Sequence, residues 1–226
     1  MPNWCNNKIE IYFKKSISEA SKKEAKKQLK SLIAKLRKNS FKENKQKRYT
    51  FFKALYPTPE PLNITAGSAT DFGMAAVQSV KYNDHTEIDK IAQYPWAKDM
   101  SREDLIISLT VPEKEGLSPR ADVIAGQQAI DNIKKYGSKD WYDWNNKHWG
   151  TKWDLYTYEF DVQEHKLTIN ADSAWCPPLK GLEKVSGMYP LLYFKIKYNE
   201  PGCAIRGTSI LRGGRVKSES FQESYS

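Results

Sequence analysis

Trp141-Tyr142-Asp143-Trp144-Asn145-Asn146-Lys147-His148-Trp149-Gly150-Thr151-Lys152-Trp153 is a thirteen-residue run that holds four of the seven tryptophans in this 226-residue chain. A tryptophan buries a large rigid ring but keeps one N–H that needs an acceptor, so four together mark a packing nucleus or a recognition surface. The run offers no nucleophile–base pair at an interpretable spacing. Ser138 is expected to start a short helix that carries Trp141, Trp144 and Asn145, and Gly150 to permit a left-handed exit toward Trp153.

Working toward the C-terminus, two strands are expected at about 153–162 and 166–174, joined by a turn at 163–165. Pro177-Pro178 ends the second. A short helix at 179–188, an apolar-aromatic strand at 191–198 and a turn at Glu200-Pro201-Gly202 lead to a final hairpin around Gly213-Gly214. Residues 217–226 are polar and are expected to fray.

Toward the N-terminus, residues 121–136 have a helical pattern with Val123, Ile124, Ala129, Ile130 and Ile133 as the expected inward positions and Gly137 as the cap. Residues 62–119 are mixed, with short helices expected at 72–80 and 86–92 and an apolar stretch at 105–111. A first strand is read at 8–13 and a second at 50–56, the latter stopped by the prolines of residues 57–61. Between them Ala25, Leu29, Leu32, Ile33 and Leu36 share one helical face, with several N-cap choices from Ser16 to Ser21 and with Ser21 and Glu24 placed as a capping box. The pattern is α+β: one elaborated domain over 1–226, its core at about 1–56 and 138–216, its helical insertion at about 62–137. The expected architecture is an antiparallel sheet with helices on one face and a C-terminal β-hairpin.

The net charge of +9 is unevenly placed. Residues 1–53 hold 16 Lys and Arg against 4 Asp and Glu, +12, and the remainder holds 20 against 23, −3. Lys22, Lys23, Lys26, Lys27 and Lys30 lie opposite the apolar helix face, and Lys42, Lys45, Lys47 and Arg48 continue the run beyond it. This basic surface could meet nucleic acid or an acidic protein. Three cysteines, Cys5, Cys176 and Cys203, form no close pair, which argues against a disulfide framework and fits a reducing cytoplasm. No signal-peptide pattern and no run of about 18 apolar residues is present, so no membrane association is expected.

Four local features carry a family resemblance: Pro2-Asn3-Trp4-Cys5-Asn6-Asn7 at the start, residues 140–154 around the tryptophan run, Ser173-Ala174-Trp175-Cys176-Pro177-Pro178, and Tyr198-Asn199-Glu200-Pro201-Gly202. In order and spacing they closely resemble the YubB-type, or Api-like, ferredoxin-like proteins of plasmids, phages and integrated elements. The resemblance spans about 1–13 and 138–207. It implies a ferredoxin-like βαββαβ core and no particular reaction.

Chemistry-bearing residues are sparse. His85, His148 and His165 lie far apart without a ligand spacing, so neither a metal nor a cofactor is expected. Cys5 and Cys176 read as packing positions rather than nucleophiles. Asp143 with Asp154, or Asp161 with Asp172, are candidate carboxylate pairs, for which a solvated role is the simpler reading. The glycine and arginine segments at 202–207 and 211–215 fit no phosphate-loop fingerprint.

Two readings of the tryptophans stay open. Trp149, Trp153 and Trp175 with Lys152 could form a stacking platform on an open sheet face. The favoured alternative is a structural clamp that wedges the insertion onto the sheet, beside a shallow pocket of Asn3, Asn6, Asn145 and Lys152. Trp4 joins these as a binding candidate, and Trp4, Trp96 and Trp141 are candidate interface anchors. The expected function is a non-catalytic interaction protein of a phage or other mobile element, in its sharpest form a counter-defence inhibitor that binds a host or rival protein complex. The alternative is a nucleic-acid-binding accessory protein that uses the basic helix and the aromatic sheet face.

Overall fold

A computed structural model describes residues 3–43 and 45–223. In chain order its elements are β1 (Trp4–Tyr12), α1 (Glu19–Lys38), β2 (Ser40–Glu43), β3 (Gln46–Tyr49), α2 (Phe52–Leu55), α3 (Ser68–Tyr82), α4 (Thr86–Ile91), α5 (Arg102–Thr110), α6 (Val123–Tyr136), α7 (Trp141–His148), β4 (Tyr156–Val162), β5 (Lys166–Ala174), α8 (Leu179–Met188), β6 (Tyr193–Glu200), β7 (Ile205–Arg212) and β8 (Arg215–Glu223). Two short 3-10 turns lie at Glu60–Leu62 and Pro201–Cys203. The chain divides into two compact units, Met1–Pro57 with Asn145–Ser226, and Thr58–Trp144.

The first unit is built on a six-stranded antiparallel sheet in the order β4-β5-β1-β6-β7-β8. Its first four strands, with α1 and α8 as the crossover helices, have the ferredoxin-like arrangement, and the β7-β8 hairpin extends the β6 edge. Period-two patterning decides which face is covered. Cys5, Asn7, Ile9 and Ile11 of β1 are buried, while Trp4, Asn6 and Lys8 between them are exposed. Ile9 lies between Ile169 and Ile196, and Ile11 between Leu167 and Phe194, so the centre of the sheet packs aliphatic and aromatic side chains across three strands.

Helix α1 buries all five of its expected apolar positions, Ala25, Leu29, Leu32, Ile33 and Leu36. Of the N-cap choices between Ser16 and Ser21, the structure uses Ser18: its hydroxyl accepts the Ser21 amide at 3.3 Å, so the helix starts one turn before the Ser21–Glu24 capping box. Lys35, Arg37 and Lys38 sit in its last turn, where the helix dipole favours cations.

The expected strand at 50–56 is instead the helical turn α2. Phe51 and Phe52 are both fully buried, which alternating strand side chains would not allow on one covered face. The Asp154 carboxylate fixes the turn: its Oδ1 accepts the Phe51 and Phe52 amides at 3.0 and 2.8 Å, and its Oδ2 accepts the Lys53 amide at 2.9 Å. Ser40–Glu43 and Gln46–Tyr49, within the basic run that follows α1 in the sequence, pair as the strands β2 and β3. This hairpin docks through Thr157, whose hydroxyl accepts the Tyr49 amide and donates to the Tyr49 carbonyl, both at 2.9 Å, and through Tyr49 stacked on Phe160 at 4.1 Å. The polar tail does not fray before residue 223, because β8 pairs along β7 from Arg215 to Glu223; residues 224–226 lie outside the described residues.

The second unit is helical. Ala75, Ile88, Ile91, Ala97, Leu105, Leu109 and Ala121 form its apolar cluster. Gly137 ends α6 in the left-handed region at φ 68°, as expected, and Asn83 ends α3 at φ 54°. The inward face of α6 differs from expectation. Ala125, Gly126, Ala129, Ile130 and Asn132 are buried, while Val123, Ile124 and Ile133 are exposed. The cause is a close approach of α6 to α3: a β-carbon on Gly126 would fall 2.2 Å from the Gly73 carbonyl carbon. Only small side chains fit that interface, so the larger aliphatic ones turn outward.

Candidate functional site

The tryptophans separate into a buried and an exposed set. Trp149 is 1 % exposed, stacks on Phe52 at 5.1 Å and 19°, and donates its Nε1–H to the Tyr56 carbonyl at 2.9 Å. Its own carbonyl accepts the Gly181 amide at 3.1 Å, and a β-carbon on Gly181 would strike the Phe52 ring. Trp149 therefore clamps α2 to α8 and offers no surface for stacking. Of the two readings, the alternative three-ring platform does not form, and Trp149 takes the favoured structural role, though between α2 and α8.

Trp4, Trp153 and Trp175 are exposed at the end of the sheet where β1 begins and β5 ends. Trp4 and Trp153 lie 6.1 Å apart with planes tilted by 35°, and the Lys152 ammonium sits 4.6 Å over the Trp153 ring. Trp175 adopts φ 71°, an unusual backbone state for a bulky residue, and its amide donates to the Asn3 carbonyl at 2.9 Å. Of the four polar residues expected beside them, the structure brings Asn145 and Lys152 together. Asn145 is buried and donates to the Lys152 carbonyl at 3.0 Å, whereas Asn6 is exposed on the sheet and donates to Asp172 at 2.7 Å. Asn3 stands against Gly202, where a β-carbon would meet its Nδ2.

The basic surface is partly neutralised. Lys22 pairs with Glu19 at 2.6 Å and Lys26 with Glu164 at 3.0 Å. Arg48 is a docking residue of the hairpin: it donates to the Thr157 carbonyl and the Tyr156 hydroxyl, both at 3.0 Å, and pairs with Glu43 at 3.3 Å. Lys23, Lys27, Lys30, Lys42, Lys45 and Lys47 remain exposed, with Lys42 directly opposite Lys47.

Groups that could act as nucleophiles or bases are held in structural roles. Cys5 is fully buried, and burial pushes its thiol up to about 12. Burial also raises Cys176, whose Sγ donates to the Gly150 carbonyl at 2.8 Å. Both stay protonated thiols at neutral pH. His85 meets Ser79 at 2.7 Å, His148 meets Tyr56 at 3.0 Å, and His165 packs edge-on against Phe13. Asp143 accepts the Lys139 amide, and Asp154 caps α2. Asp161 and Asp172 are not paired across the β4-β5 hairpin, since their cross-strand partners are Thr168 and Tyr156. Among the described residues no three His, Cys, Asp or Glu side chains converge into a group able to hold a metal ion.

One apolar concave surface has no counterpart among the residues singled out from sequence. A groove of about 730 Å³ runs over α3, α5 and α6, with Ala76, Val77, Val80, Ile106, Val123 and Ile124 as its apolar lining and Lys81, Gln127 and Asp131 among its polar residues. Val80 is 72 % and Ile124 86 % exposed. The available signal was the set of alanines and glycines in 73–76 and 125–129, a small-residue stripe that turns the neighbouring aliphatics to the outside. A second cavity, of about 840 Å³ and mixed polar and apolar lining, lies between Tyr56, His148, Lys180 and Lys184.

Residues 152–225, from β4 through β8, match the family described as a ferredoxin-like domain in Api92-like protein. The match meets the sequence resemblance over that stretch, and its description names a fold and no reaction. The crystal structure of a protein api92 from Yersinia pseudotuberculosis aligns over 100 % of both chains at 11 % identity, with a TM-score of 0.40. No curated protein matches this sequence. No helix among the described residues is long and apolar enough to cross a membrane.

Proposed function

We propose that this chain, similar over residues 152–225 to the ferredoxin-like domain of Api92-like proteins, is a non-catalytic interaction protein that binds another protein through the groove of its helical unit. The observation that carries this reading is the exposure of Val80 and Ile124 on an apolar groove. Folded proteins rarely leave contiguous aliphatic surface in water without a use for it, and a volume of this size lies within the range of specific binding sites. Three helices bounding a shallow apolar trough suit the apolar face of an amphipathic helix, anchored at i, i+3, i+4 and i+7. Lys81 and Asp131 put both signs of charge at the groove, which would orient such a helix rather than hold it.

The protonated thiols and the structural roles of the histidines and carboxylates favour binding over catalysis. The resemblance of the sequence motifs supports a plasmid, phage or integrated element as the biological setting. In that setting the target is a host or rival protein, with counter-defence as the sharpest form. The test is a native pulldown after nuclease digestion. One stoichiometric protein should be recovered with the wild-type chain and lost with Ile124→Asp or Val80→Asp, whose thermal midpoints should match wild type. Equal recovery with both variants would reject the groove as the binding site.

A further inference from the structure

The uncovered face of the sheet carries cations that no neighbouring carboxylate balances. Lys8 stands directly opposite Lys197 across the β1-β6 pair, and both are exposed. Like charges directly opposite on a sheet destabilise it, so their juxtaposition calls for an anion. Arg206, also exposed, lies opposite Asn199 one strand further out. Among the described residues no ion pair reaches Lys8, Lys197 or Arg206. Glu10, on the same face, is shared by Lys166 at 3.5 Å and Lys195 at 4.0 Å.

Apart from Glu10, which Lys166 and Lys195 share, carboxylates of this face lie on the other half. Glu159 and Asp161 lie on β4 and Asp172 on β5, where Asn6 donates to Asp172 and Asn170 to Glu159. The cations thus occupy β1, β6 and β7, a strip about 10 Å wide. Aromatic pairs mark its two ends: Trp4 with Trp153 at 6.1 Å, and Tyr12 stacked with Tyr193 at 5.5 Å and 16°. Arg212 lies over Tyr193 at 4.6 Å and donates to its hydroxyl at 2.8 Å. From Trp4 to Tyr12, β1 spans about 27 Å.

We propose that this strip binds a single-stranded nucleic acid, with Lys8, Lys197 and Arg206 on its phosphates and the exposed Trp4 ring stacked on a base. Bases unstacked from a partner strand present faces to an aromatic ring, and phosphates supply the anions that Lys8 and Lys197 lack. A duplex presents no base faces, and its broader charged surface would overlie Glu159 and Asp161. The surface belongs to a different unit from the apolar groove, so the two activities are separable by mutation. This inference stands independently of the protein-binding reading.

Fluorescence anisotropy of the full chain with a labelled oligothymidylate of about 12 nucleotides, against a duplex of the same length, tests it. At about 50 mM salt the single strand should bind more tightly than the duplex, with affinity falling as salt rises. The double variant Lys8→Gln, Lys197→Gln should weaken binding at least about tenfold, while its thermal midpoint stays equal or rises because a repulsion has been removed. Trp4→Ala should weaken it separately. A matched double variant on α1, Lys23→Gln with Lys30→Gln, should change affinity less. The proposal is overturned by absent binding, by a duplex bound as tightly, by unchanged affinity in the Lys8 and Lys197 variant, or by a loss confined to the α1 variant.

Discussion

Gly126 of α6 rests against Gly73 of α3 so closely that a β-carbon on Gly126 would lie 2.2 Å from the Gly73 carbonyl carbon, and one on Gly73 would lie 2.0 Å from the Asp122 carbonyl oxygen. Backbone meets backbone there, and no flexible side chain can yield. Gly126→Ala should destabilise the helical unit by about 1–3 kcal/mol or more, the range for overpacked interiors. Chemical denaturation gives the value; an unchanged midpoint would mean that the helices do not approach as closely in solution.

The buried and exposed tryptophans should respond differently to truncation. Trp149→Ala removes a ring stacked on Phe52 and leaves the Tyr56 carbonyl without its donor, for a loss of about 3–5 kcal/mol. Trp153→Ala, at a residue 38 % exposed, should cost about 1 kcal/mol or less. Similar losses in thermal unfolding would contradict the division into clamp and surface.

Asp154 holds the turn that replaces the expected strand. Asp154→Ala strips the acceptor from the Phe51, Phe52 and Lys53 amides and should cost about 1–3 kcal/mol. Asp154→Asn, which keeps one acceptor oxygen, should lose less. An Asp154→Ala variant as stable as wild type would show that the carboxylate does not hold the turn.

Alkaline stability should carry the signature of Cys5. Its folded thiol is pushed up to about 12 from an ordinary 9.0, because burial disfavours the thiolate. Below pH 9.0 both states keep the proton and the stabilisation is complete. As pH rises from 9.0 toward 12 the unfolded chain releases a proton that the fold retains, so stability declines across that window. Tyr12 and Tyr198, also raised by burial, add to the same decline. Unfolding midpoints followed against pH should fall less steeply in Cys5→Ala than in wild type; identical slopes would contradict the assignment.

The ferredoxin-like core was legible because its signals are local. Helical spacing exposed Ala25 to Leu36, strand alternation gave β5, and Gly137, Gly150 and the Gly213-Gly214 turn punctuated the chain where the structure turns. The misread segments depend on partners far away in sequence. Phe51 and Phe52 follow a helical turn because of Asp154, about a hundred residues later. The outward turn of Val123 and Ile124 depends on Gly73, and no periodicity within α6 records that glycine. The candidate site suffered most: Trp149 and Asn145 are interior, whereas Val80 and Ile124, assigned no binding role from sequence, form the open apolar surface.

The most direct test of groove binding is site-specific photocrosslinking in cells, with the photoreactive residue placed at Val80, at Ile124, or at the exposed control position Lys98. Positions 80 and 124 should yield the same discrete protein adduct, resistant to nuclease, and Lys98 should yield none. No adduct from either groove position, an adduct only to nucleic acid, or an equal adduct from Lys98 would contradict the groove as the protein-binding surface.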